Sequence, residues 1–296
     1  MTSCGIPMFL RDLLLPVVAV ALLGACVPSS SRRPAVPAPE TSPTTRVPNV
    51  AGPWVLRPPS ASEEISIATM AVVAISGDGA ARTDTLHATL SASFAWSPGG
   101  HHRVDGLLRG YSMQLGAGVA SVPAGLRLLR PFTADTPLPG GSLTFRLPSE
   151  TSACDDPALS VLQGLHDAWI RLPDTLFVTR EWTDTAHTLS CRDHVLLHGT
   201  VVRRFRVLRA ELEAGGRLVV LIDRTSKGRL SGDGEQFGEH VMIEGESSGA
   251  LRYVVDPLIG RSIRAAGESA LTFKLKSARR NQTVRQESAL TLTWAQ

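Results

Sequence analysis

The chain has 296 residues, of which 43% are hydrophobic and 19% charged, with a mean hydropathy of +0.06 and a formal net charge of +3. That length allows one large domain or two modest ones with a sizeable core, and the balance excludes wholesale disorder or a polytopic helical membrane protein. Of the 30 basic residues only Lys227, Lys274 and Lys276 are lysine, which reads as a GC-rich coding sequence rather than as phosphate recognition.

In chain order, the first element is an apolar run from Leu13 to Ala25, broken only by Pro16 and preceded by Arg11. As a helix it would rise about 20 Å, short of a hydrocarbon core of about 30 Å but suited to a secretion signal. Residues 1–25 are therefore expected to be a signal peptide. The run ends in Leu23-Gly24-Ala25-Cys26, which resembles the lipobox of bacterial lipoproteins: an aliphatic residue, two small ones, then a cysteine. The resemblance implies that Cys26 becomes the first residue of the mature chain. There it carries acyl chains such as palmitate and anchors the protein to a membrane of the cell envelope, facing the periplasm or the exterior.

Residues 26–59 are read as the lipidated cysteine and a disordered tether. Ser29-Ser30-Ser31, the Arg32-Arg33 pair and prolines at 34, 37, 39, 43, 48, 53, 58 and 59 leave too little apolar surface to fold. The two arginines lie within reach of anionic headgroups. Export also sorts the cysteines. Cys4 leaves with the signal and Cys26 carries lipid, so Cys154 and Cys191 remain as a pair in an oxidising compartment and are expected to form a disulfide.

Residues 60–296 read as one β-rich globular domain. Leu86, Ala88, Leu90, Ala92, Phe94 and Trp96 alternate with polar or small residues, the period of a strand with one buried face. Ile65/Ile67/Ala71/Val73/Ile75, Leu271/Phe273/Leu275 and Leu290/Leu292/Trp294 repeat it. Turn signals at Ser76-Gly77-Asp78-Gly79, Pro98-Gly99-Gly100, Pro139-Gly140-Gly141, Gly215-Gly216 and Ser231-Gly232-Asp233-Gly234 divide the chain into roughly ten to twelve strands. One-sided alternation points to antiparallel pairing; only Leu218–Ile222 is continuously apolar.

One helix interrupts the strands, at about 157–171. Asp155 or Asp156 can cap it, Pro157 suits its first position, Leu162, Leu165 and Trp169 form a stripe, and Pro173 stops it. About five strands, a helix pinned by Cys154, then six or seven strands suggest a large curved antiparallel sheet, a half-barrel or barrel-like body with one packed amphipathic helix. The alternative is a two-sheet β-sandwich with a helix at one end.

A lipobox, a tether, long alternating strands and a mid-chain helix together resemble the half-barrel lipoproteins related to the outer-membrane lipoprotein carrier family. The resemblance is one of architecture over residues 60–296. It implies a concave sheet and a helical lid that hold acyl chains.

Sites of chemistry are sparse. No G-x-S-x-G or S-x-x-K pattern offers an activated nucleophile, and no phosphate-cradling loop is present; Gly116-Ala117-Gly118 lacks a third glycine and a following helix. His194 and His198 stand about 13 Å apart along a strand, too far for one metal ion, and the His101-His102 pair follows a turn. Asp233, Glu235 and Glu239 lack the spacing of a calcium loop and read as a solvated hairpin turn. The expected protein is a non-enzymatic lipoprotein without cofactor or metal. Leu86, Leu90, Phe94 and Trp96 form a candidate face for an apolar ligand, with Ala88 and Ala92 leaving room. Arg203, Arg204, Arg206 and Arg209 form a candidate basic face for lipid phosphates or an acidic partner. The expected partners are the membrane through the N-terminal lipid, an apolar small molecule or lipid, and an envelope protein for which the chain is the docking scaffold; nucleic acid is not expected. A secreted hydrolase is the minor alternative.

Overall fold

The computed structural model describes residues 52–56, 63–77, 81–96, 103–118, 121, 129–135, 144–146, 154, 157–192, 195–236 and 238–295. The signal, the lipobox with Cys26, most of the tether, the helix caps Asp155 and Asp156, the His101-His102 pair and His194 lie outside the described residues.

The elements in order are β1 (Trp54–Val55), β2 (Glu63–Gly77), β3 (Arg82–Trp96), β4 (Arg103–Leu115), β5 (Arg130–Asp135), β6 (Thr144–Arg146), α1 (Pro157–Ala168), β7 (Thr175–Leu176), β8 (Glu181–Arg192), β9 (Val195–Leu212), β10 (Leu218–Gln236), β11 (Glu239–Asp256), β12 (Arg261–Lys276) and β13 (Asn281–Ala295). Eleven of the strands form one antiparallel sheet in the order β6-β5-β4-β3-β2-β13-β12-β11-β10-β9-β8. The curled half-barrel expectation holds, and the two-sheet sandwich is set aside because the strands share one continuous ladder. The chain runs outward from β2 to one edge, crosses as α1, and returns from the opposite edge until β13 pairs with β2. The helix packs against β6 and β8, so it spans the gap between the two open edges.

Period-two alternation along each strand sends one set of side chains to the concave face and the other to the convex face. The concave set includes Ile65, Ile67, Leu90, Ala92 and Phe94, which bury against Val161, Leu162, Leu165 and Trp169 of the helical segment in the main core. A second apolar cluster, with Val195, Val241, Ile243, Phe273, Leu275 and Val284, covers the other end of the same face. The convex face of β9–β13 carries charge: Arg204, Arg206, Arg229, Glu244, Glu246, Arg252, Lys274 and Arg285 are exposed. This polarity is the reverse of a membrane-spanning barrel, whose outer face presents an apolar band.

Where the sequence is continuously apolar, at Leu218–Ile222, alternate residues do bury on both faces. Val219 and Leu221 join Val254 and Ile263 in a small convex cluster, while Val220 and Ile222 enter the main core. Bulges between Leu221 and Ile222 and between Val254 and Val255 twist this corner of the sheet.

Three expectations change. The folded body takes in Gly52–Leu56, part of the stretch assigned to the tether: Trp54 and Val55 pair with Leu176 and Thr175, and Leu56 N donates to Asp174 O at 2.8 Å. The helix ends at Ala168 rather than near 171, because sheet side chains take its last carbonyls, as described below. Finally, Ser231-Gly232-Asp233-Gly234 is the interior of β10 and not a turn; the reversal falls next to Gly238. Gly232 faces the backbone carbonyl of Leu196 and the side chain of Leu197 so closely that a Cβ would collide with both, so this glycine serves close strand approach. Asp233 and Glu235 accordingly lie exposed along a strand.

Candidate functional site

The concave face is not uniformly apolar. Aligning the inward positions by strand register places Ser226 (β10), Gly249 (β11), Ser269 (β12) and Ser288 (β13) in one row across four strands. The next row holds Gly228, Ser247, Leu271 and Gln286. The short side chains among them, Ser226, Ser269, Ser288 and Ser247 with Gly249 and Gly228, form a belt between the two apolar clusters. A side chain one or two atoms long cannot reach the helix, so the belt leaves space. A cavity of about 290 Å³ opens there. Its walls combine apolar residues of both ends (Ile67, Leu86, Leu90, Val161, Leu251, Leu271 and Phe273) with the polar belt and the inward arginines Arg203 and Arg224.

The arginines anchor the helix over this space. Arg203, 3% exposed, makes a two-pronged ion pair with Asp184 of the neighbouring strand, Nε to Oδ1 and Nη2 to Oδ2, both at 2.7 Å. Its Nη1 donates to the carbonyls of His166 (3.1 Å) and Trp169 (3.2 Å). Tyr253 donates its hydroxyl to Ala168 O at 2.8 Å and accepts from Arg224 Nη1 at 3.1 Å. Cationic donors at a helix C-terminus satisfy the orphan carbonyls and complement the dipole. At the other end of α1, Cys154 and Cys191 form a disulfide, with Cα atoms 4.8 Å apart, which ties the approach to the helix onto β8.

The candidate ligand face divides. Leu86 and Leu90 line the cavity, as does Ala88. Phe94 lies on the same face but is covered by Trp169, ring centroids 4.3 Å apart, so it is core rather than cavity wall. The side chain of Trp96 lies outside the described residues. The candidate basic face also divides. Arg204 and Arg206 are exposed on the convex side, and the β9 bulge brings Arg209 out with them, but Arg203 has the opposite parity and points inward to Asp184. The reason is the two-residue period: adjacent arginines on one strand cannot share a face. Arg206 and Arg209 are further engaged by Glu181 and Glu211.

Burial shapes the titrating groups on the concave side, raising Tyr253 as well as the two that follow. Tyr111, in the cavity wall, has its phenol pushed up to about 12 by burial. Glu63, 4% exposed at the start of β2, is raised to about 7 because burial outweighs the attraction of Arg261. Glu63 Oε1, Arg261 Nε and Ser262 Oγ are all buried without a hydrogen-bond partner. Among the described residues no group of three or more His, Cys, Asp or Glu side chains is placed to hold a metal ion. His87 and His198 are exposed, and His187 Nδ1 lies 3.4 Å from Thr200 Oγ1.

Sequence reading missed the belt, Gln286, Arg224 and the Asp184–Arg203 pair. A signal was present in the small inward residues at mid-strand in β10–β13, flanked by Leu, Val or Phe. Only the register shows that they lie side by side.

No family model and no curated protein matches this chain. Among solved structures, a mutant of the Rh. blastica porin is similar at 6% identity, covering 78% of this chain and 100% of its own, with a TM-score of 0.27. DynF from the dynemicin biosynthesis pathway of Micromonospora chersina is 12% identical over 87% of this chain and 92% of its own, at 0.19. An outer-membrane channel from Pseudomonas putida F1 is 7% identical over 82% of this chain and 98% of its own, also at 0.19. At these scores the likeness identifies no family and carries no function.

Proposed function

We propose that the protein is a non-enzymatic cell-envelope lipoprotein, anchored through acyl chains on Cys26, whose curled sheet and helix hold an apolar ligand. The observation that carries the ligand reading is the cavity of about 290 Å³ between α1 and the concave face, walled largely by apolar side chains in a body whose outer face is charged along β9–β13. Natural ligand sites have this composition, a largely apolar wall with a few placed polar groups, and that volume falls at the small end of their range. The anchor rests on Leu23-Gly24-Ala25-Cys26 and the proline-rich segment behind it. Such a tether in polyproline form extends about 3.1 Å per residue and would hold the body away from the bilayer.

Two measurements test the proposal. Replacing residues 1–25 by a cleavable secretion signal and Cys26 by Ser should move the protein from the membrane to the soluble periplasmic fraction. Retained membrane attachment would overturn the lipid anchor. Native mass spectrometry of that released chain, with organic extraction, should show a stoichiometric extra mass that leaves as lipid. A clean unliganded mass and no uptake of added lipids would overturn the carrier reading and favour a scaffold that docks another envelope protein.

A further inference from the structure

The shape of the cavity bears on what kind of apolar molecule it takes, an inference that rests on the apolar-ligand reading above. Its wall is drawn from β2–β4, from β8–β13 and from α1, so it is enclosed round most of the curl of the sheet. Along the strands it is short. On β11 the inward positions in the wall run from Ser247 to Leu251, on β12 from Ser269 to Phe273 and on β13 from Gln286 to Leu290, a rise of about 13 Å on each.

Gly164 marks where the helix side of this space is bare. It lies inside α1 and shares the cavity wall with Val161, one turn before it. Glycine in a helix interior costs stability relative to alanine, because it gives up more backbone freedom. Packing does not demand it here: outside its own helix, a Cβ built on Gly164 would meet no atom of the described residues within 4 Å. The sheet is bare at the same level. Arg203, which donates to His166 O, stands in one row with Ser226, Gly249, Ser269 and Ser288. Gly164 is two residues from His166, an axial rise of about 3 Å. The cavity is therefore broader there than at Val161, whose side chain projects from the helix.

We infer that the cavity selects a compact cyclic apolar group over an extended chain, and that Gly164 sets this preference by letting the ring lie against the helix backbone. A flexible chain bends past one added side chain. A rigid ring of the same carbon number does not.

Isothermal titration calorimetry on the mature-length Cys26→Ser chain with adamantan-1-ol and decan-1-ol tests this. The two alcohols have equal carbon number and one hydroxyl each, the first as a rigid cage and the second as a chain. The readout is the change in each affinity on substitution, which cancels the difference in their own hydrophobicity. Gly164→Leu, a residue helices favour, should weaken adamantan-1-ol about tenfold, the scale of forcing carbons into a filled site, and decan-1-ol less than about threefold. Gly164→Ala should raise the urea midpoint and yet weaken adamantan-1-ol by a smaller factor, so the test survives a Gly164→Leu protein that fails to fold. Unchanged adamantan-1-ol affinity in the variants, equal losses for both alcohols, or a native chain that binds decan-1-ol alone would overturn the inference and leave apolar binding standing. Binding of neither alcohol by the native chain would instead overturn the apolar-ligand reading itself.

Discussion

Arg203 and Asp184 face each other across β9 and β8 as a buried two-pronged ion pair, and the same guanidinium donates to His166 O in the last turn of α1 and to Trp169 O just past its end. One arginine thus couples the edge of the sheet to the helix that spans its opening. Arg203→Met would strand the Asp184 carboxylate and release the helix end. The expected loss is about 3–5 kcal/mol, read from urea unfolding midpoints. Adding Asp184→Leu should recover part of it by removing the stranded charge. A single variant within about 1 kcal/mol of the native chain would contradict this account.

The Cys154–Cys191 bridge closes a loop of 37 residues that contains α1. Replacing both cysteines by serine should lower stability by about 3–4 kcal/mol on a loop-entropy basis. It should also speed proteolysis near Pro157, because the approach to the helix would no longer be tied to β8. Equal cleavage rates for the two proteins would show that packing alone holds the helix start.

Ala88 lies on β3 between Thr69 and Met113 in the cavity wall. Ala88→Phe would direct a ring into the open space rather than into filled core. Loss of ligand uptake with an unchanged or raised melting temperature is expected, since filling a void differs from overpacking a closed site. Unimpaired uptake would place the ligand elsewhere.

Glu63 sets a pH dependence. Its folded-state pKa is raised from 4.5 to about 7, so between those values the folded chain binds more protons than the unfolded one. Stability linked to this group therefore falls as pH rises from about 4.5 to 7 and is level above that, a loss on the order of 3 kcal/mol. Glu63→Gln should flatten this part of the profile and be more stable than the native chain at pH 8. Urea midpoints at pH 5 and pH 8 for both proteins would decide it, and a variant as pH-sensitive as the native chain would sink the assignment.

The fold was legible to the extent that its cause is local. Alternation such as Leu86-Ala88-Leu90-Ala92-Phe94 is imposed by the two-residue pleat, so one-faced strands and an amphipathic helix started by Pro157 could be read residue by residue. Glycine was ambiguous because it serves both turns and close strand contacts: Gly215-Gly216 does turn the chain with positive φ, whereas Gly232 and Gly234 lie inside β10. The arginine run was read as one surface because sequence proximity was taken for spatial proximity, which a strand denies.

The sequence by itself determined a mainly antiparallel β body with one packed helix, as a curled sheet or a two-sheet sandwich, the pairing of Cys154 with Cys191 once export is granted, and a face carrying Leu86 and Leu90. Only the tertiary structure decided that Arg203 turns inward to Asp184, that Phe94 is covered by Trp169, and that Ser226, Gly249, Ser269 and Ser288 form one row beside Gln286. Periodicity along a strand comes from backbone geometry that each segment carries in itself. Register across strands, and the cavity it opens, comes from burying many faces at once, which no single segment encodes.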